Sequence, residues 1–166
     1  MSEFDTQQDK YVTFQSGNEY FGMKIEYVNE IIVFQEITQI PETVDYIKGL
    51  INLRGKIIPV IDVRIRFKQE PIEYTDRTCI IVINVKDTVV GLIVEKIAEV
   101  VEIKQEYILD PPSVNNEDRQ QNKYVYGVGK VGESVKLLLD PEKLLKDEDL
   151  SVIEQIAVND NSREGE

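Results

Sequence analysis

The segment Glu19-Tyr20-Phe21-Gly22-Met23-Lys24-Ile25-Glu26-Tyr27-Val28-Asn29-Glu30-Ile31-Ile32 is answered 69 residues later by Thr88-Val89-Val90-Gly91-Leu92-Ile93-Val94-Glu95-Lys96-Ile97-Ala98-Glu99-Val100-Val101. Gly22 falls on Gly91, Glu26 on Glu95 and Glu30 on Glu99. Between these identities Met23 matches Leu92, Ile25 matches Val94, Val28 matches Ile97 and Ile31 matches Val100. Upstream, Tyr11–Phe14 falls on Ile80–Ile83. A second block repeats with an offset of 78: Gly49 falls on Gly127 and Asp62 on Asp140, while Leu53, Ile57, Val60 and Ile61 fall on Val131, Val135, Leu138 and Leu139. Any two strands share alternating apolar positions, but alternation alone predicts nothing at a glycine or a carboxylate. The chain is therefore read as an internal duplication. The offset grows by nine (78 − 69), and the turn-rich stretch Asp110–Lys123 can absorb the extra residues at little cost.

Each half carries the same plan. Tyr11–Ser16 and Glu19–Lys24 read as a hairpin around Gly17-Asn18, with a helical corner over Ile25–Asn29 and a third strand over Glu30–Ile37. Asp45–Lys48 reads as another helical turn, and Gly49–Leu53 and Lys56–Val63 as strands joined at Arg54-Gly55. Pro59 suggests an edge or a bulge. In the second half the strands are Cys79–Val85, Thr88–Glu95, Ala98–Lys104, Tyr124–Val131 and Ser134–Leu139. Asp140-Pro141 then starts a helix as N-cap and first residue. Five short antiparallel strands per half bury their apolar face best by curling into a small barrel. The expectation is an all-β fold of two pseudo-symmetric five-stranded barrels, residues 16–67 and 77–145, with a groove between them. The N-terminal strand is free to cross over and complete one of them. Residues 1–9 are expected to be flexible, 146–158 to form a C-terminal helix on Leu150, Ile153 and Ile156, and 159–166 to be a disordered tail.

Composition excludes much chemistry. The chain has 166 residues, a net charge of −12, one cysteine and no histidine. Without histidine the commonest general base and the commonest transition-metal ligand are both missing. Cys79 alone can form no internal disulfide and is expected to be buried and unreactive in a reducing cytoplasm. No phosphate-binding glycine loop opens a helix, and no calcium-loop spacing occurs. No cofactor and no metal are expected. The acidic balance argues against nucleic acid and anionic membranes, and no apolar stretch is long enough to span a bilayer. Paired carboxylates remain as an enzymatic alternative: Glu26 with Glu30, or Asp62 with Asp140, in a hydrolase.

The segment Gly49-Leu50-Ile51-Asn52-Leu53-Arg54-Gly55-Lys56-Ile57-Ile58-Pro59-Val60-Ile61-Asp62-Val63-Arg64 closely resembles the hallmark of CheW-like domains, as does Tyr20–Ile31. The resemblance runs from about Lys10 to Leu145. It implies two SH3-like barrels and a non-catalytic scaffold coupling chemoreceptors to the histidine kinase CheA in bacterial chemotaxis. The implied partners are the CheA regulatory domain and the cytoplasmic tips of methyl-accepting chemoreceptors, with no nucleic acid and no direct membrane insertion. The implied place is the cytoplasm, at membrane-associated receptor arrays. An adaptor of a different kinase pathway, governing surface motility or development, is the alternative within the same fold. Carried over residue by residue, the receptor-facing groove maps onto Val28, Glu30, Ile31, Gly49, Arg54, Gly91, Ile97, Val100 and Gly127. The aliphatic members could equally be core, and the glycines could answer a backbone need. Arg54, in a turn where lysine would serve solubility as well, points to a fixed hydrogen-bonded geometry. It would either contact receptor or brace the groove against an internal acid such as Glu30.

Overall fold

Apolar alternation yields eleven short strands among the described residues, which are 8–41, 44–111, 123–145 and 151 of a computed structural model. They are β1 (Lys10–Ser16), β2 (Glu19–Lys24), β3 (Val28–Val33), β4 (Ile47–Leu53), β5 (Lys56–Asp62), β6 (Cys79–Val85), β7 (Thr88–Val94), β8 (Lys96–Glu102), β9 (Ile108–Leu109), β10 (Val125–Val131) and β11 (Ser134–Leu139). Single 3-10 turns at Ile25–Tyr27 and Gln105–Tyr107 make corners. Two one-turn helices follow, α1 (Val63–Arg66) and α2 (Pro141–Leu144). The expected C-terminal helix and tail, and most of the expected flexible N-terminus, lie outside the described residues.

The strands form a six-stranded sheet, β8-β1-β2-β11-β10-β9, and a five-stranded sheet, β3-β6-β7-β5-β4. Under the duplication β3, β6, β7, β5 and β4 correspond to β8, β1, β2, β11 and β10, so the two sheets have the same order. Their registers agree as well. β5 runs parallel to β7 with Val60 opposite Gly91, and β11 runs parallel to β2 with Leu138 opposite Gly22. The bulges repeat too, between Ile47 and Gly49 in one half and between Val125 and Gly127 in the other.

This pairing corrects the division at 16–67 and 77–145. Each sheet is built from both halves, because the halves exchange their first hairpins. β1–β2 joins the strands of the second half, and β6–β7 joins those of the first. Duplicated sequences present the same edges to either hairpin, so exchanging identical elements costs little. The 3-10 corner at Ile25–Tyr27 carries the chain from one sheet into the other.

Each sheet is covered on both faces. In β1, Tyr11, Val12, Thr13 and Phe14 are all buried. Val12 and Phe14 face a core shared by the two sheets, together with Phe21, Met23, Ile81, Ile83 and Leu92. Tyr11 faces the opposite side of the sheet, into a smaller cluster with Ile103 and Leu138. The five-stranded sheet does the same, with Ile80, Val82 and Val60 in its outer cluster. Asp62 and Asp140 cap the two short helices, accepting from Arg64 N at 2.9 Å and from Glu142 N at 2.9 Å.

Several local expectations change. Asp45–Lys48 is a turn leading into β4 and not a helical turn, since Ile47 already pairs with Ile61. Pro59 lies in an interior strand and not at an edge; the ladder with β7 starts one residue later, at Val60. Cys79 opens β6 only half-buried, its thiol donating to Arg77 O at 3.3 Å.

Candidate functional site

The residues named from the sequence fall into three groups. Val28, Glu30 and Ile31 lie on β3, and Ile97 and Val100 on β8, which are the pseudo-equivalent edge strands of the two sheets. Val28 and Ile97 are half-buried against the shared core. Val28 stands opposite Ile83 and Ile97 opposite Phe14, the same place in each repeat. Ile31 and Val100 point outward, 40 % and 53 % exposed, and Val33 is 74 % exposed. Single exposed aliphatics need no explanation, but equivalent ones on two sheet edges mark apolar surface that neither sheet covers.

Arg54 joins the β3 group through space. Its Nη1 donates to Glu30 Oε1 at 3.1 Å, and its Nη2 donates to Glu30 Oε2. This fork fixes both side chains in one plane. The hydrogen bonds from Arg54 hold the Glu30 carboxyl below its ordinary value, and Glu30 holds the guanidinium above its own. The backbone at Arg54 has a φ of 53° and at Gly55 of 89°, with Gly55 N donating to Asn52 Oδ1 at 2.8 Å. Left-handed backbone is costly for a side chain such as arginine. The equivalent position in the second half is Gly132, with a φ of 60°. Glu99, the mate of Glu30, therefore has no arginine facing it from that turn. Its backbone is held instead by Thr13, whose Oγ1 donates to Glu99 O at 2.7 Å and accepts from Glu99 N at 3.1 Å.

Gly49, Gly91 and Gly127 are buried inside the sheets. A Cβ on Gly49 would lie 2.1 Å from Thr38 O, and the φ there is 150°. On Gly91 it would meet Ile80 Cγ2 at 2.7 Å, and on Gly127 Ile108 Cγ2 at 2.9 Å. These glycines serve close packing, against Thr38, Ile80 and Ile108 respectively.

The carboxylates set aside for hydrolysis have separate structural partners. Glu26 lies 4.0 Å from Lys24, Glu30 is paired with Arg54, and Asp62 and Asp140 cap different helices. Among the described residues no three metal-binding side chains converge, and no helix is long and apolar enough to cross a membrane.

Sequence reading passed over three groups of polar contacts. Arg64 Nη1 donates to Glu95 Oε1 at 2.6 Å, and Glu95 Oε2 accepts from Gly17 N at 3.0 Å, tying the tip of β1–β2 to the other sheet. Tyr74 donates to Asp62 Oδ2 at 2.7 Å, and burial, then this contact, push its hydroxyl above its ordinary range. Arg66 sits with its guanidinium over the rings of Tyr46 and its mate Tyr124, at 4.5 and 5.3 Å, and donates to Leu144 O at 3.0 Å. The repeat was the available signal for the last, since Tyr46 and Tyr124 share the offset of 78.

The sequence profile of the CheW-like domain matches residues 10–149. The chain is 35 % identical to the chemotaxis protein CheW of Klebsiella aerogenes over 153 residues, covering 92 % of this chain and 91 % of that one. It is 34 % identical to the chemotaxis protein CheW of Treponema pallidum, covering 87 % and 86 %. In structure it is similar to the scaffolding protein TtCheW of Thermoanaerobacter tengcongensis, with a TM-score of 0.76 and 34 % identity, covering 85 % of this chain and 94 % of that one. With the duplicated sheets and the signature turn in place, the chain belongs to the CheW-like domain family.

Proposed function

We propose that this chain is a non-catalytic chemotaxis adaptor that couples the cytoplasmic tips of chemoreceptors to the regulatory domain of the histidine kinase CheA. It works in the cytoplasm at membrane-associated receptor arrays. The observation that carries this reading is the similarity, over nearly the whole chain, to chemotaxis proteins and to a scaffold of the same fold. The geometry of the β3 edge supports it. Glu30 and Arg54 form a rigid polar fork beside exposed Ile31 and Val33, and apolar surface next to fixed polar groups suits one face of a receptor helix.

In this reading Val28, Glu30, Ile31, Arg54, Ile97 and Val100 shape the receptor surface. Gly49, Gly91 and Gly127 act behind it, by letting the strands approach. The kinase binds at the ends of the sheets, apart from that surface. The test is co-sedimentation of the protein with receptor signalling fragments, with and without CheA. Co-sedimentation of CheA with receptor only when the protein is present supports coupling. Failure to bridge them overturns it.

A further inference from the structure

The duplication lets one half serve as a template for the other, and one pair of equivalent sites differs. In the first half, Asp62 caps α1 through Oδ1 and accepts the Tyr74 hydroxyl on Oδ2. Tyr74 comes from the linker between the halves and packs on Phe34, with ring centroids 4.6 Å apart. Its ring fills the space beside Asp62 and leaves a void of only about 10 Å³.

In the second half, Asp140 takes the place of Asp62 and caps α2 in the same way, through Oδ1. Among the described residues nothing takes the place of Tyr74. Among the described residues Asp140 Oδ2 has no partner, and a cavity of about 260 Å³ opens beside it. It is lined by Lys24, Tyr27, Tyr126, Leu139, Asp140 and Pro141. Cavities for whole small ligands run from about 300 Å³ upward, so this one is of side-chain size. All eight tyrosines of the chain are among the described residues, and no aromatic residue occurs between Gly127 and Glu166. None of the described residues thus places a second tyrosine there as Tyr74 is placed beside Asp62.

We propose that the cavity between Tyr27 and Tyr126 receives a tyrosine side chain presented by a partner protein, its hydroxyl donating to Asp140 Oδ2 as that of Tyr74 donates to Asp62. The rings of Tyr27 and Tyr126 supply aromatic walls for the incoming ring. The unpaired oxygen of Asp140 calls for a hydrogen-bond donor, which a neutral hydroxyl supplies and an anion does not. Burial, and the charges of Glu142, Asp140 and Glu26, push the Tyr27 hydroxyl above its ordinary value, and Lys24 is the cation among the lining residues. A phosphotyrosine would be repelled. This inference stands apart from the receptor surface and does not rest on the adaptor reading.

The test uses the full chain and three blocked peptides, acetyl-Gly-Tyr-Gly-amide and its phenylalanine and phosphotyrosine counterparts, titrated while amide shifts are followed by NMR. The tyrosine peptide is expected to move Tyr27, Tyr126, Leu139 and Asp140 at millimolar concentration. The phenylalanine peptide is expected to bind about tenfold more weakly, because the carboxylate acceptor then stays unpaired, and the phosphotyrosine peptide not at all. Asp140→Asn keeps a helix-capping side chain but removes the charged acceptor. It is expected to erase the tyrosine preference while leaving the phenylalanine peptide unchanged. Equal binding of the tyrosine and phenylalanine peptides overturns the proposal. So do absence of shifts at these residues, and tighter binding of ethylguanidinium than of the tyrosine peptide, which would mark a cation site instead.

Discussion

Arg54 and Glu30 meet through both terminal guanidinium nitrogens across 24 residues of chain, and the arginine does so from a left-handed turn whose counterpart in the other half is a glycine. A residue that the backbone disfavours is kept where its side chain reaches an edge strand. That combination separates the cost of the turn from the use of the guanidinium, and the two can be measured apart.

Arg54→Ala and Arg54→Gly should both lower affinity for a receptor fragment by about ten- to a hundredfold, through loss of a charge-assisted contact. Arg54→Lys should restore only part of it, lacking the planar fork. Stability should split them. The glycine variant relieves the left-handed strain and should melt at or up to about 3 °C above the parent, whereas the alanine variant keeps the strain and should melt no higher than the parent. Titration and melting of the three proteins check this, and unchanged affinity in folded Arg54→Ala would leave the guanidinium without a binding role.

The Glu30–Arg54 pair should have a defined pH window. Because the folded-state carboxyl titrates below its unfolded value, the pair's contribution is present above the unfolded value and fades as pH falls through the lowered folded one. A carbon-detected titration of Glu30 should therefore show a midpoint below 4.5, moving back toward that value in high salt or in Arg54→Ala. A midpoint at or above 4.5 in the parent protein would contradict the fork.

Gly49→Ala should be among the most damaging single substitutions in the chain. The added Cβ collides with a backbone carbonyl, which cannot move as a side-chain tip can. We expect a loss of roughly 3 kcal/mol or more in urea unfolding. Gly55→Ala, whose Cβ would meet nothing within 4 Å, should cost only the strain of its positive φ, about 1 kcal/mol. Similar losses at the two positions would show that φ and not close packing governs both.

Val28→Asp should weaken receptor binding while leaving kinase binding nearly intact, since Val28 packs at the β3 edge and the kinase is assigned to the sheet ends. Parallel loss of both affinities in a folded protein would show that the surfaces are not separate.

Residues 8–67 and 77–145, produced as separate pieces, should each lack a stable fold, because each piece holds a hairpin that pairs only with the other's strands. Mixed, they should recover the native amide spectrum. Independent folding of either piece would show that a hairpin can close on its own half.

Much of this architecture was legible because alternation is local. The limits of β2, β6 and β11 follow directly from apolar periodicity and turn residues. The crossing of the N-terminal strand was foreseen, but the exchange of whole hairpins was not legible, because the duplication makes each hairpin equally suited to either set of neighbours. Helix α1 escaped notice although α2 was expected. Asp140 is followed by proline, an overt start signal, whereas Asp62 is followed by Val63 and shows its role only through its mate. At the candidate site, Glu30 was foreseen as an acid for Arg54, since both sat in recognisable segments. The buried packing of Gly49, Gly91 and Gly127 was open between two readings, and the crowding around each Cβ position decides it. Arg66 and Tyr74 stayed hidden because ring faces and helix caps are met in space and leave no local pattern.

The crossed hairpins also set an order of events during synthesis. Strands β1 and β2 leave the ribosome first, yet the sheet they belong to cannot close until β8, β10 and β11 have followed, up to Leu139. The five-stranded sheet needs nothing beyond Val94, so it can assemble while the earliest strands still wait with their apolar faces uncovered. Long-range closure of this kind is slow and leaves strand edges open to wrong partners. The first hairpin is thus the last to find its place, and a neighbouring nascent copy offers it the same edge.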